Sequence, residues 1–260
     1  MRLKDKAILV TGSTTGIGEG IVRRFVAEGA KVIVHGRNAE CARALCDELG
    51  DENAVFYQGD LGEAGYPEQL AKDALAAFGR MDGLVNNAGL VTRAMLADTD
   101  AAFFDRLMAV NARAPMLLIR ALLPALKESE GSVLNIGSIL AWCGVEKLLA
   151  YSMSKGALMT MTRNLADAFG PHRVRVNQLN VGWTLTDNEY EVMIQDGLPE
   201  NWPENLPPYA APSGRILSPA DIAAAAVYWV GDESAPVSGT VAEMEQYPVL
   251  GRLPNVDGAS

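Results

Sequence analysis

Tyr151 and Lys155 lie four positions apart in Ala150 to Ala168, a stretch whose period predicts a helix, so phenol and ammonium share one face. A phenol with a free pKa near ~10 is a poor base at neutral pH, and a neighbouring cation is expected to favour phenolate and bring the pair into working range. Ser138 follows Ser132 to Ile136, a short apolar run that predicts a strand. A hydroxyl at a strand's end is suited to hold an oxygen on which charge develops, so Ser138 is expected to orient and stabilise rather than attack. A second group is TGSTTGIG, Thr11 to Gly18, between a predicted strand (Lys6 to Val10) and a predicted helix (Ile17 to Ala27). Its glycines permit a tight turn that brings backbone N–H groups and a helix N-terminus against a pyrophosphate, although an ordinary Gly-rich connection has the same composition.

The elements that must position these residues repeat. Lys31 to Val34 precedes Asn38 to Leu49, Ala54 to Tyr57 precedes Pro67 to Phe78, and Gly83 to Asn86 precedes a helical segment around Phe103 to Ala125; Val174 to Leu179 reads as a further strand. Alternation of this kind predicts an α/β fold, a doubly wound parallel sheet with helices on both faces, which binds ligands at the carboxyl ends of its strands. From Gly182 to Ser218 the period is lost and Pro199, Pro203, Pro207, Pro208 and Pro212 intervene, so residues 182–218 read as a substrate-binding loop or lid with a short helix. A helix from Pro219 to Val230, with Ser218 as N-cap, and a last strand around Gly239 to Glu243 complete a single domain over residues 1–260.

TGSTTGIG has the spacing G-x-x-x-G-x-G, and it is followed by NNAG at Asn86 to Gly89, then by Asn111, Ser138, Tyr151 and Lys155, with Ser138 and Tyr151 thirteen positions apart. In these features the chain resembles the short-chain dehydrogenase/reductase family from about Lys6 to Gly239. The resemblance implies a Rossmann-type fold and reversible carbonyl reduction with a nicotinamide dinucleotide. It implies that Asn111, Ser138, Tyr151 and Lys155 are catalytic, with Lys155 also on the nicotinamide ribose and Asn111 positioning a water that relays protons to the lysine. The cofactor would lie against Gly12, Thr14, Thr15, Gly16, Ile17 and Gly18, against Asp60 and Leu61 at the adenine, against Asn87, Ala88 and Gly89, and against Gly182, Thr184 and Thr186 at the nicotinamide and phosphates. Gly36 stands where NAD-preferring relatives carry Asp, and Arg37 follows, available to pair with a 2′-phosphate, so NADP is expected, with NAD as the alternative. Ser13 to Thr15 lack the basic residue of many NADP-preferring relatives. Two departures stand out: Val181 and Gly182 replace the usual Pro-Gly, and Ala242 to Tyr247 (AEMEQY) replaces a Val-Asp-Gly-Gly turn.

Ser138, Tyr151, Trp142 and Trp183 are candidate substrate contacts, and a small sugar or polyol is the expected substrate. Trp142 suits pocket wall and core equally; Trp183, Trp202 and Tyr209 suit stacking on a substrate or anchoring the loop. A 3-oxoacyl carrier-protein reductase, with Arg113 and Arg120 contributing to docking, and a catalytically silent dinucleotide sensor are the rival readings. The family's assembly implies a homotetramer, with Ala223 to Ala226 available for close helix approach and the tail AEMEQYPVLGR beyond that interface, placed to reach a neighbouring subunit or to hinder association.

Composition narrows the classes. A net charge of -10 with no basic stripe gives nucleic-acid binding no electrostatic footing. Cys41, Cys46 and Cys143 form neither a disulfide framework nor a metal motif, the longest apolar run (Ile222 to Val230) is short of a bilayer span, and Arg2 to Lys6 contain no signal-peptide core. A cytoplasmic protein without metal, membrane or nucleic-acid partners is the expectation. His35 and His172 read as solvated or locally hydrogen-bonded, Tyr228 and Trp229 as core. Asp187, Glu189 and Glu191 suit a wet surface or the hydroxyls of a polyol.

Overall fold

The computed structural model describes residues 1–250; the tail from Gly251 onward lies outside the described residues. Seven strands, β1 (Ala7–Val10), β2 (Lys31–Gly36), β3 (Ala54–Gln58), β4 (Gly83–Asn86), β5 (Ser132–Ser138), β6 (Arg175–Val181) and β7 (Val241–Met244), form one sheet in the order β3-β2-β1-β4-β5-β6-β7. Every pairing is parallel. The order reverses between β1 and β4, which opens a crevice at their carboxyl ends.

The helices are α1 (Gly16–Ala27), α2 (Ala39–Leu49), α3 (Tyr66–Phe78), α4 (Ala101–Met108), α5 (Ala114–Glu128), α6 (Leu149–Phe169), α7 (Asp187–Gln195) and α8 (Pro219–Val230). Strand side chains alternate between two cores. Ile8, Val10, Val32 and Val34 face α1, α2 and α8, where they meet Phe25, Leu45 and Val227. Leu9, Ile33, Leu84 and Val133 face α3, α5 and α6, where they meet Leu70, Leu118 and Leu122. This period-2 division makes the expected doubly wound arrangement.

A row of amides fixes α6 over the sheet. Asn86, Asn135 and Gln178 are register partners on β4, β5 and β6. Asn86 donates to Asn135 at 2.8 Å, and Asn135 donates to Thr162 of α6 at 2.8 Å. Buried amides with partners tolerate few alternative registers, so this row sets how far along the sheet α6 sits.

Three expectations are corrected. The helical segment expected at Phe103 to Ala125 starts at Ala101 and is interrupted at Ala109–Arg113 by one wide turn, in which the Ala114 N–H donates to the Ala109 carbonyl five residues back. The last strand starts at Val241, because Gly239 occupies a turn at φ 81. Tyr228 is 37% exposed, since the sheet covers only one face of α8, whereas Trp229 packs against the core. The run Ala101–Glu128 is long and apolar enough to cross a bilayer by composition, but Leu118, Ile119, Leu122 and Leu126 are buried against the sheet. Ser218 caps α8 in a reciprocal capping box with Asp221, as the expected N-cap requires.

Candidate active site

At the carboxyl ends of β1 to β4 lies a cavity of about 250 Å³ whose lining includes Gly12, Thr14, Thr15, Arg37, Asp60, Leu61, Asn87, Ala88 and Gly89. The two short motifs build it together. Asn87 Nδ2 donates to the carbonyls of Thr11 and Gly12 at 2.9 and 2.8 Å, and Thr11 Oγ1 accepts from the backbone of Asn87 and Ala88 at 3.0 Å each. Gly12 takes φ +60, and a Cβ there would fall 2.7 Å from Ala88 Cα, so only glycine brings the turn this close to the end of β4. Gly18 is buried beneath this turn and supports it from below. At the start of α1 the side chain of Thr15 makes no cap, in contrast to Asn38 on α2, Thr186 on α7 and Ser218 on α8. The unfilled N–H groups of that first turn and the helix dipole suit an anion. A backbone-lined cradle at a topological switch point therefore fits a dinucleotide pyrophosphate.

The rim of this cavity carries charge. Arg106 pairs with Asp60, whose carboxyl is held below its ordinary range chiefly by that hydrogen bond. Arg37 is exposed on the same rim, and its side chain makes no ion pair among the described residues. His35, read as solvated or locally bonded, is buried: its Nδ1 accepts from the Gly12 N–H at 3.3 Å, and burial lowers its pKa to about 4. A Cβ on Gly36 would lie 2.6 Å from Thr14 Cγ2, so these two positions pack as one unit.

Asn111, Ser138, Tyr151 and Lys155 converge from three elements, the last two sharing α6. Asn111 sits in the wide turn between α4 and α5 and is 1% exposed. Its Nδ2 donates to the Leu90 carbonyl and to Ser154 Oγ, both at 3.0 Å, and its Oδ1 accepts from the Leu90 N–H at 2.8 Å. It thereby joins the chain after β4 to α6. Lys155, 4% exposed, donates from Nζ to the Ile136 carbonyl at 2.8 Å and lies 5.6 Å from the Tyr151 ring centroid. A methyl carbon placed on Gly89 would sit 3.5 Å from Lys155 Nζ and 3.6 Å from Asn111 Oδ1, so the glycine faces the space between them. Ser138 Oγ, at the end of β5, accepts from the Leu140 N–H at 3.2 Å, and its own O–H is directed to the Tyr151 phenol.

The expected depression of the Tyr151 pKa is not what this site produces. Burial raises it to about 12, opposed by the Ser138 hydrogen bond and reinforced by the nearby Glu189 charge. Lys155 does not offset this, because burial lowers its own pKa to about 8. Both groups are pushed toward neutrality by the same loss of water.

Ser138, Tyr151 and Lys155 open onto a second cavity of about 460 Å³, also lined by Ile17, Asn87, Gly89, Gly182, Trp183, Thr184 and Thr186. Gly16 flanks it, and a Cβ there would meet the Thr186 side chain at 3.4 Å. Trp142 does not line this cavity; its ring lies 5.1 Å from the Arg163 guanidinium, on the other side of the turn after β5. The segment between β6 and α8 has a small core of its own, in which Trp183 stacks on the buried Trp202 at 5.1 Å and 9° and Tyr190 flanks them. Tyr209, by contrast, is 67% exposed. This segment is tied to the end of the sheet by the unusual residues after β7: Trp183 N–H donates to Glu245 at 3.2 Å, and Gln246 bonds the backbone of Ser213 and Arg215. Sequence reasoning did not single out Arg93, which lines the cavity, and left Glu189 undecided; of the three acids on α7 only Glu189 reaches the cavity. A polar residue within an aperiodic stretch carries no local signal of which way it faces.

Residues 6–196 match the family model described as short chain dehydrogenase. The chain is 37% identical over 230 residues to an L-fucose dehydrogenase of Mus musculus, covering 87% of this chain and 82% of that protein. It is 34% identical over 242 residues to 2-(S)-hydroxypropyl-CoM dehydrogenase 3 of Xanthobacter autotrophicus, covering 92% and 94%, and 31% identical over 251 residues to a D-beta-hydroxybutyrate dehydrogenase of Cupriavidus necator, covering 94% and 97%. With a dinucleotide cradle, a family match over most of its length and dehydrogenase relatives along nearly all of it, the chain belongs to the short-chain dehydrogenase family and is an NAD(P)-dependent oxidoreductase that interconverts a carbonyl and a secondary alcohol.

Proposed function

We propose that Tyr151 is the acid/base of this reaction, that Ser138 holds the reacting oxygen, and that Lys155 and Asn111 support proton exchange behind them. The observation that carries this reading is that Ser138, Tyr151 and Lys155 face one cavity, with the Ser138 hydroxyl hydrogen-bonded to the Tyr151 phenol. In the reductive direction Tyr151 donates its proton to the substrate oxygen while Ser138 hydrogen-bonds the same atom. The neutral phenol of the free protein is already in the form that step needs. The dinucleotide, when bound, supplies or takes up the hydride; Gly12, Thr14, Thr15, Gly16 and Ile17 would hold its phosphates, Asp60 and Leu61 its adenine, and Thr184 and Thr186 its nicotinamide end. Lys155, beside Tyr151 and facing the open space at Gly89, passes protons between the phenol and the Asn111 side.

NADP is the proposed cofactor. Arg37 has no ion-pair partner among the described residues on the cavity rim, Gly36 offers no carboxylate to a ribose hydroxyl, and the charge of Asp60 is already taken by Arg106. A small sugar or polyol is the proposed substrate, in line with the L-fucose dehydrogenases among the relatives, and residues 182–218 would act as its lid. The carrier-protein alternative is less well supported, because Arg120 pairs with Glu68 and Arg113 donates to the Gly62 carbonyl rather than forming a free basic patch. Turnover of sugars, polyols, keto acids and acyl thioesters with NADP(H) and NAD(H) tests the reading; activity confined to acyl thioesters, or a preference for NAD, would overturn the corresponding half.

A cytoplasmic homotetramer is also proposed. Its three cysteines are free, as in a reducing compartment. On α8, Ala223 and Ala226 pack against their own sheet, so the outward stripe is Ala220, Ala224 and Tyr228, beside the open edge of β7. Light scattering at micromolar concentration should report a tetramer.

A further inference from the structure

We propose that Glu189 is the specificity-determining residue of the substrate cavity: its free carboxylate oxygen accepts a hydroxyl that the substrate carries away from the reacting carbon, and its charge turns anionic substrates away. This rests on the sugar or polyol reading above and adds the group that would do the selecting.

The carboxylate is held in place from two sides. Its Oε1 accepts from Trp183 Nε1 at 2.9 Å, and Trp183 is itself clamped by stacking on Trp202. Its backbone N–H donates to Thr186 Oγ1 at 3.1 Å, which fixes the first turn of α7. Among the described residues nothing donates to Oε2, so one strong acceptor remains for whatever occupies the cavity.

The charge balance points the same way. Besides Lys155, which sits at the Tyr151 end, the charged groups lining this cavity are Arg93 and Glu189. Arg93 is neutralised by Asp196 at 2.6 Å. Away from the Lys155 end, the Glu189 charge is the one without an ion-pair partner among the described residues, and it is close enough to Tyr151 to raise the phenol's pKa. Burial raises the pKa of Glu189 itself, opposed by the Trp183 hydrogen bond and the Arg93 charge. Most remaining walls, Val91, Leu140, Val145, Leu148 and Val192, are apolar and offer a hydroxyl nothing. A neutral ligand bearing hydroxyl donors meets both demands; a carboxylate or sulfonate meets neither.

The test compares wild type, Glu189→Gln and Glu189→Leu on sugars and polyols and on their deoxy analogues, each lacking one hydroxyl, with a 2-hydroxy acid as the anionic probe. Glu189→Gln keeps an acceptor for Trp183, so it guards against a lid that simply fails to fold. For wild type the best polyol should exceed one of its deoxy analogues in kcat/KM by roughly 10- to 100-fold, as expected for a charge-assisted hydrogen bond. That ratio should fall to within a few-fold of unity in Glu189→Leu, with KM carrying most of the change, and both variants should gain on the 2-hydroxy acid relative to the polyol. If wild type discriminates and Glu189→Leu keeps the same ratio, the assignment of Glu189 is wrong while the substrate reading stands. If wild type turns over only monohydroxyl alcohols or acids, the substrate reading falls, and the role of Glu189 with it.

Discussion

Replacing Lys155 with Met should make the folded protein more stable at neutral pH while destroying its activity. Lys155 is 4% exposed, has no carboxylate partner among the described residues, and has its pKa lowered by burial from 10.5 to about 8. At about 1.36 kcal/mol per pH unit, that drop means the charged amine costs the fold about 3 kcal/mol. Methionine fills the same space without the charge but gives up the hydrogen bond to the Ile136 carbonyl, worth about 1–1.5 kcal/mol, so a net gain of about 1–2 kcal/mol remains. For a chain of this size that raises Tm by roughly 2–8 °C. The pH dependence has a definite sign. Between about 8 and 10.5 the unfolded chain binds the lysine proton and the folded protein does not, so wild-type stability climbs through this window. Tyr151 titrates in both proteins and largely drops out of the comparison. Urea unfolding of both proteins at pH 7, 8.5 and 10 measures the gap. It should be widest at pH 7 and should close or reverse by pH 10. A variant less stable than wild type at pH 7, or a gap that ignores pH, would refute the claim that burial of an unpaired ammonium governs this site.

Two further outcomes follow from the same geometry. Tyr151→Phe should lower kcat by at least about 10²-fold, while NADPH still quenches tryptophan fluorescence; near-normal turnover would remove the assigned acid/base. Gly36→Asp alone should lose roughly 1–3 kcal/mol of stability, because its Cβ meets the Thr14 side chain at 2.6 Å, and adding Thr14→Ala should restore most of it. Only the triple change with Arg37→Ala should then shift kcat/KM from NADP toward NAD; a shift produced by Gly36→Asp alone, without loss of stability, would show that the Thr14 contact does not matter.

What the chain discloses about itself depends on the range over which each feature is encoded. The strand-turn-helix units, the cradle and the Tyr151–Lys155 pair are written in local spacing, and the N-cap at Ser218 directly precedes its helix, so all were legible. Glu189 was not. Its direction comes from the stack of Trp183 on Trp202, two residues nineteen positions apart in a stretch without period. Trp142 was left between pocket wall and core because adjacency to Ser138 says nothing of the turn that swings it under Arg163. The raised pKa of Tyr151 was missed for a similar reason: a cation four residues away is visible in the letters, whereas the water lost around both groups is a property of the whole fold.

The wide turn at Ala109–Arg113 places a requirement on this protein that no side chain records. With one residue more than a regular turn would hold, α4 and α5 run on as one rod while keeping different angular phases, and Asn111 stands at the change of phase. Its grip on Leu90 and Ser154 is thus encoded as chain length rather than chemistry. Removing a single residue between Ala109 and Arg113, none of which needs to be Asn111, would restore an unbroken helix and rotate everything on one side of the gap by about 100°. Site-by-site substitution would never uncover that dependence, while insertions and deletions in homologous chains should avoid this turn as strictly as they avoid the reacting residues.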